Sequence, residues 1–408
     1  MQVVVVGSGA REHALAWRIA QSPALAELHA APGNPGIAEI GHCHPVRAED
    51  SDGVLSLAQT LGADLVVVGP EGPLVAGLAD VLRRNGIAVF GPSAAAAQIE
   101  GSKSFAKDVL QSAGVPTAQT LAVARAPCVV KADGLASGKG VFVCHTNEQV
   151  EDALRAVRVF GGDFVIEELL EGDEVSLFAI SDGARLVTLG AAQDFKRIDD
   201  GDEGPNTGGM GAFSPVPGAV DELVERIHVP VIEELARRGT PFVGCLFAGL
   251  MLTPDGPKAL EFNARFGDPE TQVLMPRVEG DLLELLVAAA HGDLAGASVT
   301  MSGEAAVTVV LAGPDYPARS DYAGAPIGGL AEAAATGALV FHGGTAVRDG
   351  GVVTNGGRIL SVTATSSTVP AARDRAYAAL DLISFDGARF RRDIAAGVGS
   401  GRSSQHEG

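Results

Sequence analysis

Between Leu260 and Glu270 the chain reads Leu-Glu-Phe-Asn-Ala-Arg-Phe-Gly-Asp-Pro-Glu. Glu261 and Asn263 are two residues apart, so on a strand they project from one face while Phe262 points into the opposite layer. Two oxygen ligands on one rigid face make a seat for Mg²⁺. Arg265 continues the alternation and adds a guanidinium able to meet phosphate or carboxylate oxygens that the metal also holds. Taken alone, so short a pattern also describes an ordinary strand entering a turn at Gly267-Asp268-Pro269.

Other segments offer phosphate chemistry. Gly134-Leu135-Ala136-Ser137-Gly138-Lys139-Gly140 is one residue short of a Walker loop and carries Gly140 where Ser or Thr would hold Mg²⁺. Lys131 ends the apolar run Cys128-Val129-Val130, and the chain returns through Val141-Phe142-Val143, which predicts a glycine flap between two antiparallel strands. Such a flap can close over a triphosphate, with backbone N–H groups and Lys139 replacing water; an exposed hairpin is the plainer alternative. Phe164 to Glu174 reads as a strand leaving into a loop, where free backbone groups could read an adenine edge and an acid could accept two ribose hydroxyls. An acidic surface loop is the bland reading of the same residues. Gly7-Ser8-Gly9 between a strand and a helix invites a dinucleotide site, but Glu12 stands at the third glycine position and no acid ends the second strand near Leu28 to Ala30. With Arg11 beside it, that loop suits a single phosphate at a helix N-terminus, or else a tight turn with a solvent-facing arginine.

These segments need a large scaffold, and 408 residues supply two to four domains. The first hundred residues alternate strands (Val3 to Val6, Asp64 to Val68, Ile87 to Phe90) with amphipathic helices such as Arg11 to Gln21, as a parallel α/β sheet requires. From about Gly101 to Val299 helices mix with hairpins, among them one turning at Thr253-Pro254-Asp255-Gly256 that carries Glu261. The last hundred residues predict a smaller α+β lobe, with strands at Ala305 to Leu311, Ala338 to Phe341 and Ile359 to Ala364, before a tail at 399–408. A net charge of −20 argues against nucleic acid or an anionic membrane as a partner. Cys43, Cys128, Cys144 and Cys245 form no Cys-x-x-Cys pair, so reduced thiols in a cytoplasmic protein are expected rather than disulfides or a thiolate zinc site. No run of about 18 apolar residues is present to span a membrane, and Met1 leads into Val3 without the basic segment of a secretory signal.

In this order, the motifs resemble the ATP-grasp superfamily of carboxylate-amine ligases, and within it the family that joins glycine to 5-phosphoribosylamine. The resemblance spans nearly the full chain. It is carried by Gly7-Ser8-Gly9-Ala10-Arg11-Glu12-His13-Ala14, Gly69-Pro70-Glu71, Glu100-Gly101-Ser102-Lys103, Lys131-Ala132-Asp133-Gly134-Leu135 and Gln193-Asp194-Phe195-Lys196-Arg197. Farther on it rests on Gly204-Pro205-Asn206-Thr207-Gly208-Gly209-Met210-Gly211, on Glu261 to Glu270, and on Thr354-Asn355-Gly356-Gly357-Arg358. It implies an N-terminal parallel α/β (pre-ATP-grasp) domain at 1–100, an ATP-grasp domain at 101–299 with a small ATP-binding subdomain near 114–180, and a C-terminal α+β domain at 300–398.

The resemblance also implies roles. Lys103 and Lys131 would contact ATP phosphates, with Gly138, Lys139 and Gly140 on the closing flap; Glu167, Glu168 and Leu170 would form the adenine hinge and Glu174 would hold ribose. Glu261 and Asn263 would bind Mg²⁺ or Mn²⁺. Asp194, Lys196, Arg197, Thr207, Gly208, Gly209, Met210, Arg265, Asp268 and Glu270 would surround glycine and the moving phosphoryl group. Gly9, Arg11, Glu12, Glu71, Thr345, Asn355 and Gly356 would hold phosphoribosylamine, and Lys131, Lys139, Arg265 and Asp268 would be the catalytic set. Ala10, Pro35, Gly72 and Ser137 depart from the family pattern by small changes, and Ala118 to Pro127 leaves little room for the helix that normally precedes Lys131. His13 is expected to shape its loop rather than transfer protons. The implied chemistry activates glycine as glycyl phosphate, which the amine then attacks, in a monomeric enzyme of purine biosynthesis without a nucleophilic side chain. The alternatives are an ATP-grasp carboxylate-amine ligase acting on a different acid or ribonucleotide, a nicotinamide-dependent oxidoreductase, and a nucleotide-binding regulator without catalysis.

Overall fold

A computed structural model of the chain describes residues 1–135, 140–218 and 220–398. Val3 to Val6 are buried on both faces, as a central strand of a parallel sheet must be. Gln2–Gly7 lies between Glu27–Pro32 and Leu65–Val68, with His42–Cys43 and Val89–Phe90 at the edges, all five parallel. The helix Ala10–Ile19 leaves from the carboxyl end of the first strand, where open α/β sheets place their ligand sites.

The second sheet has eight strands. It begins at the hairpin Gly256–Asn263 and Val243–Thr253, then runs through Asp173–Asp182, Leu186–Asp194 and Gly211–Ser214. It continues without a break into Ala305–Ala312, Arg358–Ser366 and Leu339–His342. The C-terminal strands are thus a continuation of the central sheet, joined through Gly211–Ser214, instead of a sheet packed apart from it. A separate three-stranded sheet, Val141–Cys144, Cys128–Ala132 and Phe164–Glu167, encloses a small core with the helix Asn147–Ala156. Residues 118–127 contain no helix, so this unit is held by its sheet and one covering helix.

Local sequence explains the joints. Ser102 caps the helix Lys103–Ser112, its Oγ accepting the Phe105 amide at 3.1 Å. Asp133, at the start of the predicted flap, reaches the same helix N-terminus: Oδ1 accepts the Lys103 amide at 2.6 Å and Oδ2 the Ser104 hydroxyl at 2.5 Å. These bonds outweigh burial and lower the Asp133 pKa, and they tie the end of the strand Cys128–Ala132 to that helix. Gly138 and Lys139 lie outside the described residues. All four cysteines are free. No described helix is long and apolar enough to cross a membrane.

Candidate active site

The hairpin delivers the expected alternation. Phe262 is buried in the core, edge-on to His228 at 6.2 Å, while Glu261 and Asn263 turn toward a cavity of about 750 Å³ between the eight-stranded and three-stranded sheets. Lys103, Lys131, Gly140, Glu167, Glu168, Leu170 and Glu174 line the same cavity, as do Asp194, Lys196, Arg197, Thr207, Gly208, Arg265, Asp268 and Glu270. Nucleotide-hinge, phosphate and acid-substrate candidates therefore share one space.

Its charges are arranged in pairs. Glu167 is buried and accepts Lys131 Nζ at 2.7 Å and Lys107 Nζ at 2.8 Å, and Lys131 also donates to the Leu260 carbonyl at 2.9 Å. Glu168 turns its carboxylate to Lys258 Nζ, 3.0 Å away, and to the Gln119 amide. Glu174 pairs with Lys196, which stands 3.9 Å from Asp194. Burial pushes Asp194 up to about 8; Lys196 opposes that shift, whereas Glu270 and Glu174 add to it. Burial likewise raises Glu270, whose Oε1 accepts the Ser176 hydroxyl at 3.1 Å. Glu261 behaves oppositely: burial raises it, but Lys103 at 3.7 Å, with Lys196, Lys131 and Arg265, holds it at about 2.

Arg265 joins the first sheet to this cavity. Its Nε meets Glu71 Oε2 at 3.2 Å, and Nη2 meets Glu100 Oε1 at 3.1 Å and Asn263 Oδ1 at 3.2 Å. Burial raises Glu71, but Arg265 and Arg11 outweigh it and hold the carboxyl at about 2; burial prevails at Glu100 and raises it.

A second cavity of about 580 Å³ lies at the carboxyl end of the parallel sheet, lined by Ser8, Gly9, Asn34, Asp268, Thr345, Asn355 and Arg358 among others. Asn34 Nδ2 donates to the carbonyls of Ser8 at 2.9 Å and His342 at 2.7 Å, closing the N-terminal loop onto the last lobe. Asp268 lines both cavities.

The fold and the paired cavities agree with what the chain is similar to. Models of the phosphoribosylglycinamide synthetase N domain, ATP-grasp (A) domain and C domain match residues 1–100, 101–271 and 306–397. The chain belongs to the phosphoribosylglycinamide synthetase family. A Streptomyces coelicolor relative named phosphoribosylamine-glycine ligase is 53% identical over 416 residues, covering 97% of this chain and 99% of its own length. The crystal structure of the Thermotoga maritima protein of that name superposes with a TM-score of 0.83 at 33% identity, covering 97% of this chain and 100% of that one. The biotin carboxylase domain of Hydrogenobacter thermophilus 2-oxoglutarate carboxylase shares the fold, with a TM-score of 0.68 at 18% identity over 95% of this chain and 91% of its own.

Family membership implies ATP binding and use of a divalent metal. The donor set fits one: Glu261 is held ionised and Asn263 offers a carbonyl oxygen beside it. Among the described residues no group of three or more His, Cys, Asp or Glu side chains could hold a metal.

Several residues of this synthetase-family chain stand elsewhere than the sequence suggests. Arg11 lines neither cavity; it is buried, its Nε 2.5 Å from Glu12 Oε1 and its Nη1 3.9 Å from Glu71. Glu12 also lines neither, and its Oε2 accepts the Gly9 amide at 2.7 Å, occupying a helix N-terminal donor that a phosphate would use. Glu71 faces the larger cavity rather than the one beside Gly9. Gly209, Met210 and Gly356 line neither. At Gly209, φ is +107°, and an added Cβ would come within 2.4 Å of Pro269, so the residue serves close packing of the two loops. Arg358, Gln272, Glu100 and Lys107 are the contributors that sequence reasoning missed. Arg358 and Glu100 lie inside motifs already visible, but each acts through a partner at least 90 residues away, which no local pattern announces.

Proposed function

We propose that this chain ligates glycine to 5-phosphoribosylamine with ATP, giving glycinamide ribonucleotide, ADP and phosphate, through glycyl phosphate. The observation that carries this is the arrangement of two cavities sharing Asp268: one rich in lysines and lined by the strand end Glu167 to Leu170, the other beside a glycine loop. ATP would lie along Glu167 to Leu170, its ribose on Glu174 and its phosphates on Lys103 and Lys131 near Gly140; the family resemblance also gives Gly138 and Lys139, which lie outside the described residues, a part in binding ATP. Glu261 and Asn263 would hold Mg²⁺ or Mn²⁺, which supplies charge neutralisation at the phosphates.

Asp194, Lys196, Arg197, the 207–210 turn, Arg265 and Glu270 would enclose glycine, with Asp268 at the edge this space shares with the second cavity. A carboxylate has oxide as its leaving group and does not acylate amines. Its oxygen therefore attacks the γ-phosphorus, the bond to ADP breaks, and a mixed anhydride forms. The lysines oppose the charge that moves during this transfer. Phosphoribosylamine would enter through the cavity of Gly9, Thr345 and Asn355, and its nitrogen displaces phosphate. Exclusion of water protects both the acyl phosphate and the aminosugar.

The name of the Streptomyces coelicolor relative supports the substrate pair. The proposal includes a cytoplasmic monomer, which sedimentation of the purified chain tests for its second part. The direct test is phosphate release from Mg²⁺ and ATP with glycine and phosphoribosylamine added singly and together. Release needing both supports the reading, and release needing a different acid or amine overturns it.

A further inference from the structure

Asp268 is held from two sides. Gln272 Nε2 donates to Oδ1 over 2.7 Å and Arg358 Nη2 donates to Oδ2 over 2.8 Å. A carboxylate that only accepts fixes the orientation of the Gln272 amide, which must present its nitrogen. Gln272 is fully buried, and its other amide atom, Oε1, has no hydrogen-bond partner among the described residues. The buried Gln272 donor is thus directed at Asp268 and fixes the rotation of its carboxylate.

Arg358 does more than pair a charge. Its Nη1 donates to the Gly208 carbonyl at 2.5 Å and the Asp268 carbonyl at 2.8 Å, so one guanidinium from the C-terminal strand sets the glycine turn against the Asp268 loop. The pairing also cancels the carboxylate's charge, which lets an acceptor stand near phosphate-bearing molecules. Each carboxylate oxygen carries two lone pairs, and the two named donors take one on each. Oδ2 points toward the N-terminal loop, where a Cβ built on Gly9 would lie 3.8 Å from it.

We propose that Asp268 accepts an N–H of the incoming amine and thereby turns the nitrogen lone pair toward the acyl phosphate, with Arg358 and Gln272 as its positioning residues. This rests on the ligase reading above and assigns Asp268 to the second half of that reaction. The C–N bond forms, the C–O bond to phosphate breaks with its electron pair, and the proton shed by nitrogen leaves on the phosphate. A near-attack alignment of this kind acts only on the amine step.

The test uses the full chain with Mg²⁺, ATP, glycine, and phosphoribosylamine formed in place from ribose 5-phosphate and ammonia. Two rates are read: amide formation, and the glycine-dependent exchange of labelled oxygen between the β,γ-bridging and β-non-bridging positions of ATP, which reports reversible first transfer. For Asp268→Asn, amide formation should fall at least about 30-fold while this exchange stays within about threefold of wild type, so ADP formed per amide rises. Gln272→Met and Arg358→Lys should show the same split in weaker form, and they carry the test if Asp268→Asn does not fold. Parallel loss of both rates in the folded variants would place Asp268 in the first transfer and overturn the proposal. So would amide formation within about threefold of wild type. If the wild-type chain ligates a different acid and amine, the ligase reading fails on its own terms, and the same two rates are then read with that pair.

Discussion

His13 Nδ1 accepts the backbone amide of His342 at 2.9 Å, across a sequence separation of 329 residues, and this bond seats the first helix against a strand of the last lobe. The rings meet edge-on at 5.7 Å, and Phe341 packs against His13 at 5.5 Å. An accepting Nδ1 belongs to a neutral ring, so His13 shapes the contact and is poorly suited to carry protons. Burial, then the neighbouring His342, holds His13 at about 3, and burial holds His342 at about 4.

Both folded values lie below the unfolded value of about 6.5, so the folded chain binds fewer protons than the unfolded one as pH drops. Stability is therefore complete above about pH 6.5 and declines from there down toward the folded values. At pH 5 the loss should be on the order of 2 kcal/mol per histidine. His13→Asn keeps an acceptor near the Nδ1 position and cannot titrate. Urea unfolding at pH 7.5 and pH 5 should show a smaller difference for that variant than for wild type, and equal differences would remove His13 from the account.

Arg11 should behave as a structural ion, given its burial between Glu12 and Glu71. Arg11→Ala leaves two carboxylates in a low-dielectric place with less compensation, and a loss of about 2 to 4 kcal/mol is expected in denaturant titration. The Michaelis constants for the three substrates should change together. A selective rise of tenfold or more for phosphoribosylamine, with stability unchanged, would return Arg11 to the phosphate-binding role that its sequence position suggests.

What the sequence made legible was local periodicity. Strand alternation put Glu261 and Asn263 on one side and Phe262 in the core, and a four-residue turn announced their hairpin. The glycine-rich loops marked strand ends because only those residues accept the needed backbone. The pairings that complete the site were not legible. Arg358 with Asp268, Arg265 with Glu100, and Lys107 with Glu167 join different elements, and a charged residue in a motif does not declare whether it faces a ligand or another side chain. Arg11 shows the consequence: beside a phosphate-like loop in sequence, it is consumed by its own neighbour, Glu12. The continuity of the eight-stranded sheet into the last lobe escaped for the same reason, because register between distant strands is a tertiary outcome.

Lys107 should tune nucleotide binding without touching nucleotide. Its Nζ spans Glu167 at 2.8 Å, Thr117 Oγ1 at 2.8 Å and the Ala118 carbonyl at 2.5 Å, bracing the hinge from the helix below. Lys107→Met removes one of two cations on Glu167 and leaves Lys131 drawn more tightly to that carboxylate. The Michaelis constant for ATP should rise about tenfold, or about 1.4 kcal/mol, with a smaller change in kcat. Lys107→Arg should recover part of it. Unchanged ATP affinity in a folded Lys107→Met protein would show that Glu167 is set by Lys131 alone.

Glu261 is the sharpest test of the cavity, because it is the carboxylate among three lysines that the surroundings hold ionised at about 2. Glu261→Gln keeps the shape and removes the charge, while Asn263→Ala removes the adjacent oxygen. If these are the metal ligands, the double variant should lose ligation by at least about 100-fold, and Glu261→Gln alone should require roughly tenfold more Mg²⁺ for half-maximal rate. Metal-free ADP should bind the Glu261→Gln protein at least as well as wild type, since Lys103, Lys131 and Lys196 lose a competing anion. That opposite movement of metal demand and metal-free affinity separates a ligand role from simple damage to the site. Activity of the double variant within about threefold of wild type at saturating Mg²⁺ would sink the assignment.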